Sequence, residues 1–250
     1  MIKQILVLAC AISFLPSVHG ATASPTIQVV RIGCATFKEK LQKTVVKLAS
    51  LKNPEEKAVI FDIDGTAIAL MKDYEIDHAR PAIFELLEAY NILLKEGFKV
   101  FFITARTGDR KIEVETSRGK KRTVTIHQLT ERALKVAGYE TYEELFCMPE
   151  RAYLAGYKEG SDNSRWEDTI RFENIALWKA LKRATIASEY KIVAIFDDQA
   201  ENLEGEDTGT PVLVPSIIFS MNKIEEISHP GKQGERRAPK NRPKNVDPAT

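Results

Sequence analysis

Asp62 and Asp64 stand two residues apart, directly after the apolar run Ala58-Val59-Ile60-Phe61 and directly before Gly65-Thr66. A carboxylate is costly to desolvate, so a pair at the end of a buried strand points to a bound cation, a proton exchange, or both. Gly65 permits the tight turn that would aim both groups at a substrate. A second apolar run, Val100-Phe101-Phe102-Ile103, ends on Thr104-Ala105-Arg106, which supplies a hydroxyl and a fixed positive charge. A third, Ile192 to Phe196, ends on Asp197-Asp198-Gln199 with Asn202 just beyond, adding oxygen ligands of the kind a hard cation takes. A helical stretch before that third run carries Lys179 and Lys182. Asp-x-Asp alone recurs by chance, and two acids after a strand often cap a loop or helix. The ordered set, with each piece at the end of an apolar run, is specific.

Such groups can act together only if the ends of several strands meet. The chain alternates strand-like apolar runs with amphipathic stretches. Phe37 to Leu51 reads as a helix through Leu41, Val45, Val46 and Leu48, stopped at Asn53-Pro54. Pro81 is placed as the first residue of a helix running to about Glu96, with Gly97 as its left-handed end. Thr130 to Val136 reads as a helix ended by Gly138, Leu145 to Met148 as a strand, Arg171 to Ile186 as a helix, and Val212 to Phe219 as a last apolar run. Strand–helix–strand order with uninterrupted apolar strands predicts an α/β fold with a Rossmann-like, mostly parallel sheet covered on both faces. Its ligand crevice is expected beyond the carboxyl ends of the strands.

On these residues the sequence resembles the haloacid dehalogenase superfamily of phosphohydrolases. Asp62-Ile63-Asp64-Gly65-Thr66 is similar to its Asp-x-Asp-x-Thr motif, Thr104 to the second motif, Lys179 to the third, and Asp197-Asp198 to the fourth. Within the superfamily it resembles the secreted acid phosphatase group, which includes bacterial acid phosphatases and plant vegetative storage proteins. That likeness rests on Phe61 to Thr66, Pro81-Ala82, Gly97 to Arg106, Thr130, Ala137-Gly138-Tyr139 and Tyr190 to Leu203, across roughly residues 35 to 220. The resemblance implies Asp62 as nucleophile and Asp64 as general acid and base. It implies Thr104 and Lys179 on the phosphate, and Mg2+ held by Asp62, the backbone carbonyl of Asp64, and Asp198. Arg106 is either a further phosphate contact or a structural ion pair. The activity implied is an exported Mg2+-dependent phosphomonoesterase acting on a small-molecule phosphate ester through an aspartyl-phosphate. The alternatives are a phosphotransferase, or a non-catalytic binding or storage protein on the same fold.

The sequence departs from the family pattern in three places. Asp197 stands where the fourth motif has Gly, and Asn202 where it has a second acid, from which it could still hold a metal-bound water. Lys182 competes with Lys179 for the third motif. About 38 residues separate Thr66 from Thr104, too few for a large cap. The polar stretches Gly108 to Gln128 and Gly156 to Arg171 could form a small cap between motifs two and three, or plain loops. Tyr153, Tyr157, Trp166 and Trp178 in or beside the second stretch could stack on an aromatic ester or pack in the core. Cys34 and Cys147 could pair after export or stay apart.

The two ends differ from the middle. Lys3, the apolar stretch Ile5 to Leu15, Pro16, and small residues up to Ala23 read as a signal peptide over 1–23, and hence periplasmic or secreted export. Few apolar residues precede Cys10, which argues against a lipoprotein anchor there. The last 22 residues, 229–250, hold four of the 11 prolines and carry +4, and read as a disordered basic tail. The catalytic domain is assigned to 24–228. With 36 Lys+Arg against 35 Asp+Glu, the net charge of +1 argues against a dedicated nucleic-acid binder. Three cysteines exclude a disulfide scaffold, and the four histidines show no metal-ligand spacing. No apolar run is long enough to span a bilayer.

Overall fold

The computed structural model describes residues 27–71, 80–115, 119–155, 164–220 and 223–226. The signal segment, the basic tail and Tyr157 fall outside these residues. The strands are β1 (Val29–Val30), β2 (Lys57–Phe61), β3 (Leu70–Met71), β4 (Ala82–Ile83), β5 (Lys99–Thr107), β6 (Lys111–Glu115), β7 (Lys121–Thr125), β8 (Glu144–Met148), β9 (Lys191–Asp197), β10 (Thr210–Leu213), β11 (Ile217–Ser220) and β12 (Lys223–Glu226). The helices are α1 (Ala35–Ala49), α2 (Phe84–Lys95), α3 (Ile126–Val136), α4 (Glu150–Tyr153) and α5 (Ser164–Ala187).

The centre is a five-stranded sheet in the order β10-β9-β2-β5-β8, with every neighbouring pair parallel. Both faces are covered, which is why its strands read as unbroken apolar runs. Val59 and Phe61 of β2, with Val100 and Phe102 of β5, pack toward α1 and α2 in one core that also holds Tyr90 and Tyr139. Ala58, Ile60, Phe101, Ile103 and Ile195 face the other way, onto Trp178 and Ile186 of α5. Helix α1 buries Phe37, Leu41, Val45 and Leu48, one side of a helix with a 3.6-residue period, and leaves Val46 exposed. From β2 the chain moves through β5 to β8 on one side, then crosses to β9 and β10 on the other. The switch point therefore lies at β2, and a crevice opens beyond its carboxyl end.

Three element boundaries differ from expectation. Pro81 does not open α2, because Ala82 and Ile83 first run as a strand parallel to β1. Ala82 N–H donates to the Gln28 carbonyl and Ile83 N–H to that of Ala67, and this pairing outweighs the local helix signal. Helix α3 starts a turn earlier than Thr130, at a capping box in which Thr125 and Gln128 satisfy each other's backbone N–H groups. The run Val212 to Phe219 divides around Pro215. β10 joins the central sheet, whereas β11 pairs with β3 and β12 in a separate three-stranded sheet. Gly97, at φ +94°, ends α2 in the left-handed conformation expected of it.

Among the described residues there is no large insertion between β2 and β5. The polar stretch after Gly108 is an antiparallel hairpin, β6–β7, with a small apolar cluster of its own around Val124, Ile126 and Leu129. Of the second polar stretch, residues from Ser164 onward belong to α5.

Candidate active site

Asp62 continues the sheet one residue past β2, its N–H donating to the Phe196 carbonyl at 2.9 Å. The chain then coils back, with Ala67 N–H on the Asp62 carbonyl and Ile68 N–H on that of Ile63. Gly65 makes this possible at φ +84°. A Cβ there would also stand 2.5 Å from Asp198 Oδ2, so the position needs glycine for space as well as for backbone.

Beside Asp62 lies the end of β9. Lys179 of α5 donates to Asp62 Oδ1 at 2.7 Å and to Asp197 Oδ2 at 2.6 Å. All three residues are buried. Asp197 Oδ1 accepts from the Gln199 N–H and from Asn202 Nδ2, so both of its oxygens are engaged. Arg183, one helical turn past Lys179, donates to the carbonyls of Asn202 and Glu204 and fixes the loop after β9. Asp198 turns the other way, accepting from Ser216 Oγ at 2.6 Å and Gln199 Nε2 at 3.1 Å.

Oxygens of Asp62, Asp197 and Asp198 lie within 4.8 Å of one another. Three carboxylates against one ammonium leave an excess of negative charge in a buried place, which suits a divalent cation with hard oxygen ligands. Asp197 is committed to Lys179, Gln199 and Asn202, so Asp62 and Asp198 are the members left to hold the ion. The electrostatics agree. Burial raises the Asp62 carboxyl well above the ordinary range, against the pull of Lys179 and with the help of Asp197 and Asp198. Burial and the Asp197 charge push Asp198 up to about 6. For Lys179 burial works against the charged form, but Asp197 and Asp62 outweigh it and hold the ammonium above its usual value.

On the other side of Asp62 is a second cluster. Arg106, at the end of β5, grips Asp64 with two bonds, Nε to Oδ2 at 2.7 Å and Nη2 to Oδ1 at 2.8 Å. Arg80 Nη2 reaches the same Oδ1 at 2.6 Å. Arg106 Nη1 also donates to Thr130 Oγ1 of α3 at 3.2 Å. Thr104 is buried, and its Oγ1 accepts from the Arg106 N–H.

The structure thus gathers Asp62, Lys179 and Asp198 in one cluster and Asp64, Thr104 and Arg106 in the next. Arg106 has the ion-pair arrangement that the sequence left open beside phosphate contact. Asn202 bonds to Asp197. Lys182 points away, its Nζ 5.3 Å from the centre of the Phe146 ring. Trp178 packs in the α5 core, Arg171 lies over Tyr153, and Cys34 and Cys147 are not joined in a disulfide. Sequence reasoning did not assign a role to Asp197 as the lysine's second partner, to Arg80 or to Ser216. The acidic replacement of Gly by Asp197 was the available signal for the first. Arg80 and Ser216 lie in connecting segments with no periodic pattern to mark them.

The fold is α/β, a parallel central sheet flanked by helices, with the candidate residues at the carboxyl ends of its strands. No family model matches the chain. It is 30% identical over 129 residues to the stem 28 kDa glycoprotein of Glycine max and, over the same length, 30% identical to the stem 31 kDa glycoprotein of that plant. These matches take in 52% of the chain but only 38% and 33% of the two relatives. Among solved structures it overlaps the class C acid phosphatase of Bacillus anthracis with a TM-score of 0.44 and 14% identity, over 68% of this chain and 64% of that one. The tungstate-bound form of the same enzyme gives 0.43 and 13%, over 68% and 63%. Overlap of that extent says nothing about the chemistry of this chain. No helix among the described residues is long and apolar enough to cross a membrane.

Proposed function

We propose that the chain is an exported, Mg2+-dependent phosphomonoesterase of the acid phosphatase type, working through an aspartyl-phosphate on Asp62. The observation that carries this reading is the buried Lys179 bridging Asp62 and Asp197 beside Asp198, at the carboxyl ends of β2 and β9. Attack on a phosphoryl group requires an anionic nucleophile to approach an anionic substrate, and most of the catalytic task is to make that approach possible. Lys179 orients Asp62 and offsets charge on the phosphoryl oxygens. A divalent cation held by Asp62, Asp198 and the backbone carbonyl of Asp64 would supply further neutralisation of the nucleophile and phosphate.

In the first step an Asp62 oxygen bonds to phosphorus, the bond to the ester oxygen breaks, and Asp64 gives that oxygen a proton. In the second, Asp64 takes a proton from a water that attacks phosphorus, and the bond to Asp62 breaks to release phosphate. The Thr104 hydroxyl is assigned to a phosphoryl oxygen in both. Export rests on the charge, apolar run and small residues of 1–23.

The test is turnover of a panel of alkyl and aryl phosphates by the protein with Mg2+, with chelator, and as Asp62→Asn. Turnover is expected with Mg2+ and at least about a thousandfold loss in the other two cases, the scale at which removing a nucleophile acts. Full activity of Asp62→Asn would sink the nucleophile assignment. Mg2+ binding without turnover of any ester would favour a non-catalytic binding or storage protein.

A further inference from the structure

We propose that Tyr139 is a positioning residue whose buried hydroxyl holds the turn bearing Asp62 and Asp64 in register with β5 and α3, the elements that carry Thr104, Arg106 and Thr130. This deepens the phosphatase reading, on which its catalytic consequence rests. Tyr139 is wholly buried, and its Oη donates to the Ala67 carbonyl at 2.9 Å. Ala67 belongs to the turn itself, because its own N–H closes back on the Asp62 carbonyl at 3.3 Å. The same Ala67 carbonyl accepts from Ile83 N–H of β4 at 3.0 Å. Its lone pairs are thus engaged from two sides, by a strand and by a side chain.

The hydroxyl is not needed to satisfy this carbonyl, which already has the Ile83 N–H. A phenylalanine would fill the same place in the core without the cost of burying a phenol, and the bond to Ala67 does little more than offset that cost. What the bond adds is geometric, since it limits where the turn can sit. Burial, with a smaller contribution from Tyr90, raises the phenol well above its ordinary range, so the group stays a donor at neutral pH.

Tyr139 can hold the turn because it is itself held. Gly138, at φ +93°, ends α3, and Tyr139 N–H bonds back to the Leu134 carbonyl at 2.9 Å. The ring packs edge-on against Tyr90, with centroids 4.9 Å apart, and against Phe102 of β5 at 5.5 Å. Thr104 follows Phe102 on that strand, and Thr130 of α3 accepts from Arg106. One hydroxyl therefore ties the Asp62 turn to both elements that complete the site. Groups that act together from separate strands lose rate steeply when their spacing drifts, by about a hundredfold for an ångström.

The test compares Tyr139→Phe with Ile192→Val, a core change at the amino end of β9 and so at the opposite end of the sheet from the site. Both should lower the thermal midpoint by a similar amount, about 2–4 °C. Tyr139→Phe should lower kcat on an aryl phosphate by about tenfold or more, with KM changed by less than about twofold, and Ile192→Val should leave both unchanged. The amide protons of Ala67 and Ile68 should exchange with solvent about tenfold faster in Tyr139→Phe than in Ile192→Val, the scale of one hydrogen bond. Unchanged kcat in Tyr139→Phe, or equal exchange at these amides in the two variants, would overturn the positioning role while leaving the phosphatase reading intact. Absence of turnover by the unsubstituted protein would overturn the phosphatase reading, and the exchange comparison would still decide whether Tyr139 holds the turn.

Discussion

Asp198 is the residue where burial, neighbouring charge and the proposed cation site meet. Its carboxyl is held at about 6 by desolvation and the nearby Asp197, with Ser216 and Gln199 partly opposing the shift. A carboxyl raised in the folded state binds its proton more tightly there than in the unfolded chain. The metal-free protein therefore loses stability as pH rises from the ordinary carboxylate range through about 6. A bound cation requires the ionised form and reverses that loss. Mg2+ should accordingly raise the thermal midpoint by several degrees at about pH 7.5 and by little or nothing at about pH 5. Equal Mg2+ shifts at both pH values in thermal denaturation would contradict the assignment of Asp198 as a ligand. At this scale the sequence was most informative where chemistry sits directly on a strand end. Asp62, Thr104 and Asp198 follow apolar runs and could be singled out from type and position. Asp197 could not be given its partner, because a lysine 18 residues earlier in sequence meets it only after α5 folds across β9.

The elements show how an insertion without catalytic residues of its own can still shape a site. The hairpin β6–β7 leaves the end of β5 and leads directly into α3, whose first turn is set by the Thr125–Gln128 capping box. That turn places Thr130 against Arg106, and Arg106 against Asp64. Thr125→Ala should cost about 1 kcal/mol of stability, the usual value of an N-cap, measured by urea denaturation. It should also lower kcat, since the disturbance passes to Arg106. An unchanged kcat would show that α3 supports the fold alone. Periodicity located every strand of the central sheet and the helices α1, α2, α3 and α5, because those elements bury one or both sides in long apolar patterns. It missed β1, β3 and β4, of two residues each, whose backbone pairing leaves almost no side-chain pattern. It also could not choose between cap and loop for residues 108 to 128, because a hairpin that packs on its own small cluster shows only weak alternation.

Across the whole molecule, the near-neutral charge conceals a sharp internal arrangement. The site is an acidic cluster with one buried ammonium on one side of Asp62, and a carboxylate between two buried guanidiniums on the other. The topology makes this possible, since β2 lies between β5 and β9 and gathers the ends of three strands around a single turn. A mostly parallel sheet could be expected from alternating elements, but which strands flank β2 is a tertiary property that no local pattern encodes. In the proposed reaction Asp62 carries the phosphoryl group between ester and water. That role is tested most directly by mixing the protein and Mg2+ with a phosphate ester labelled at phosphorus, quenching in acid within one turnover, and mapping the label by peptide. An acid-stable, alkali-labile phosphoryl group is expected on the peptide containing Asp62, absent from Asp62→Asn. Label on any other residue, or turnover without a covalent phosphoprotein in the unsubstituted chain, would contradict it.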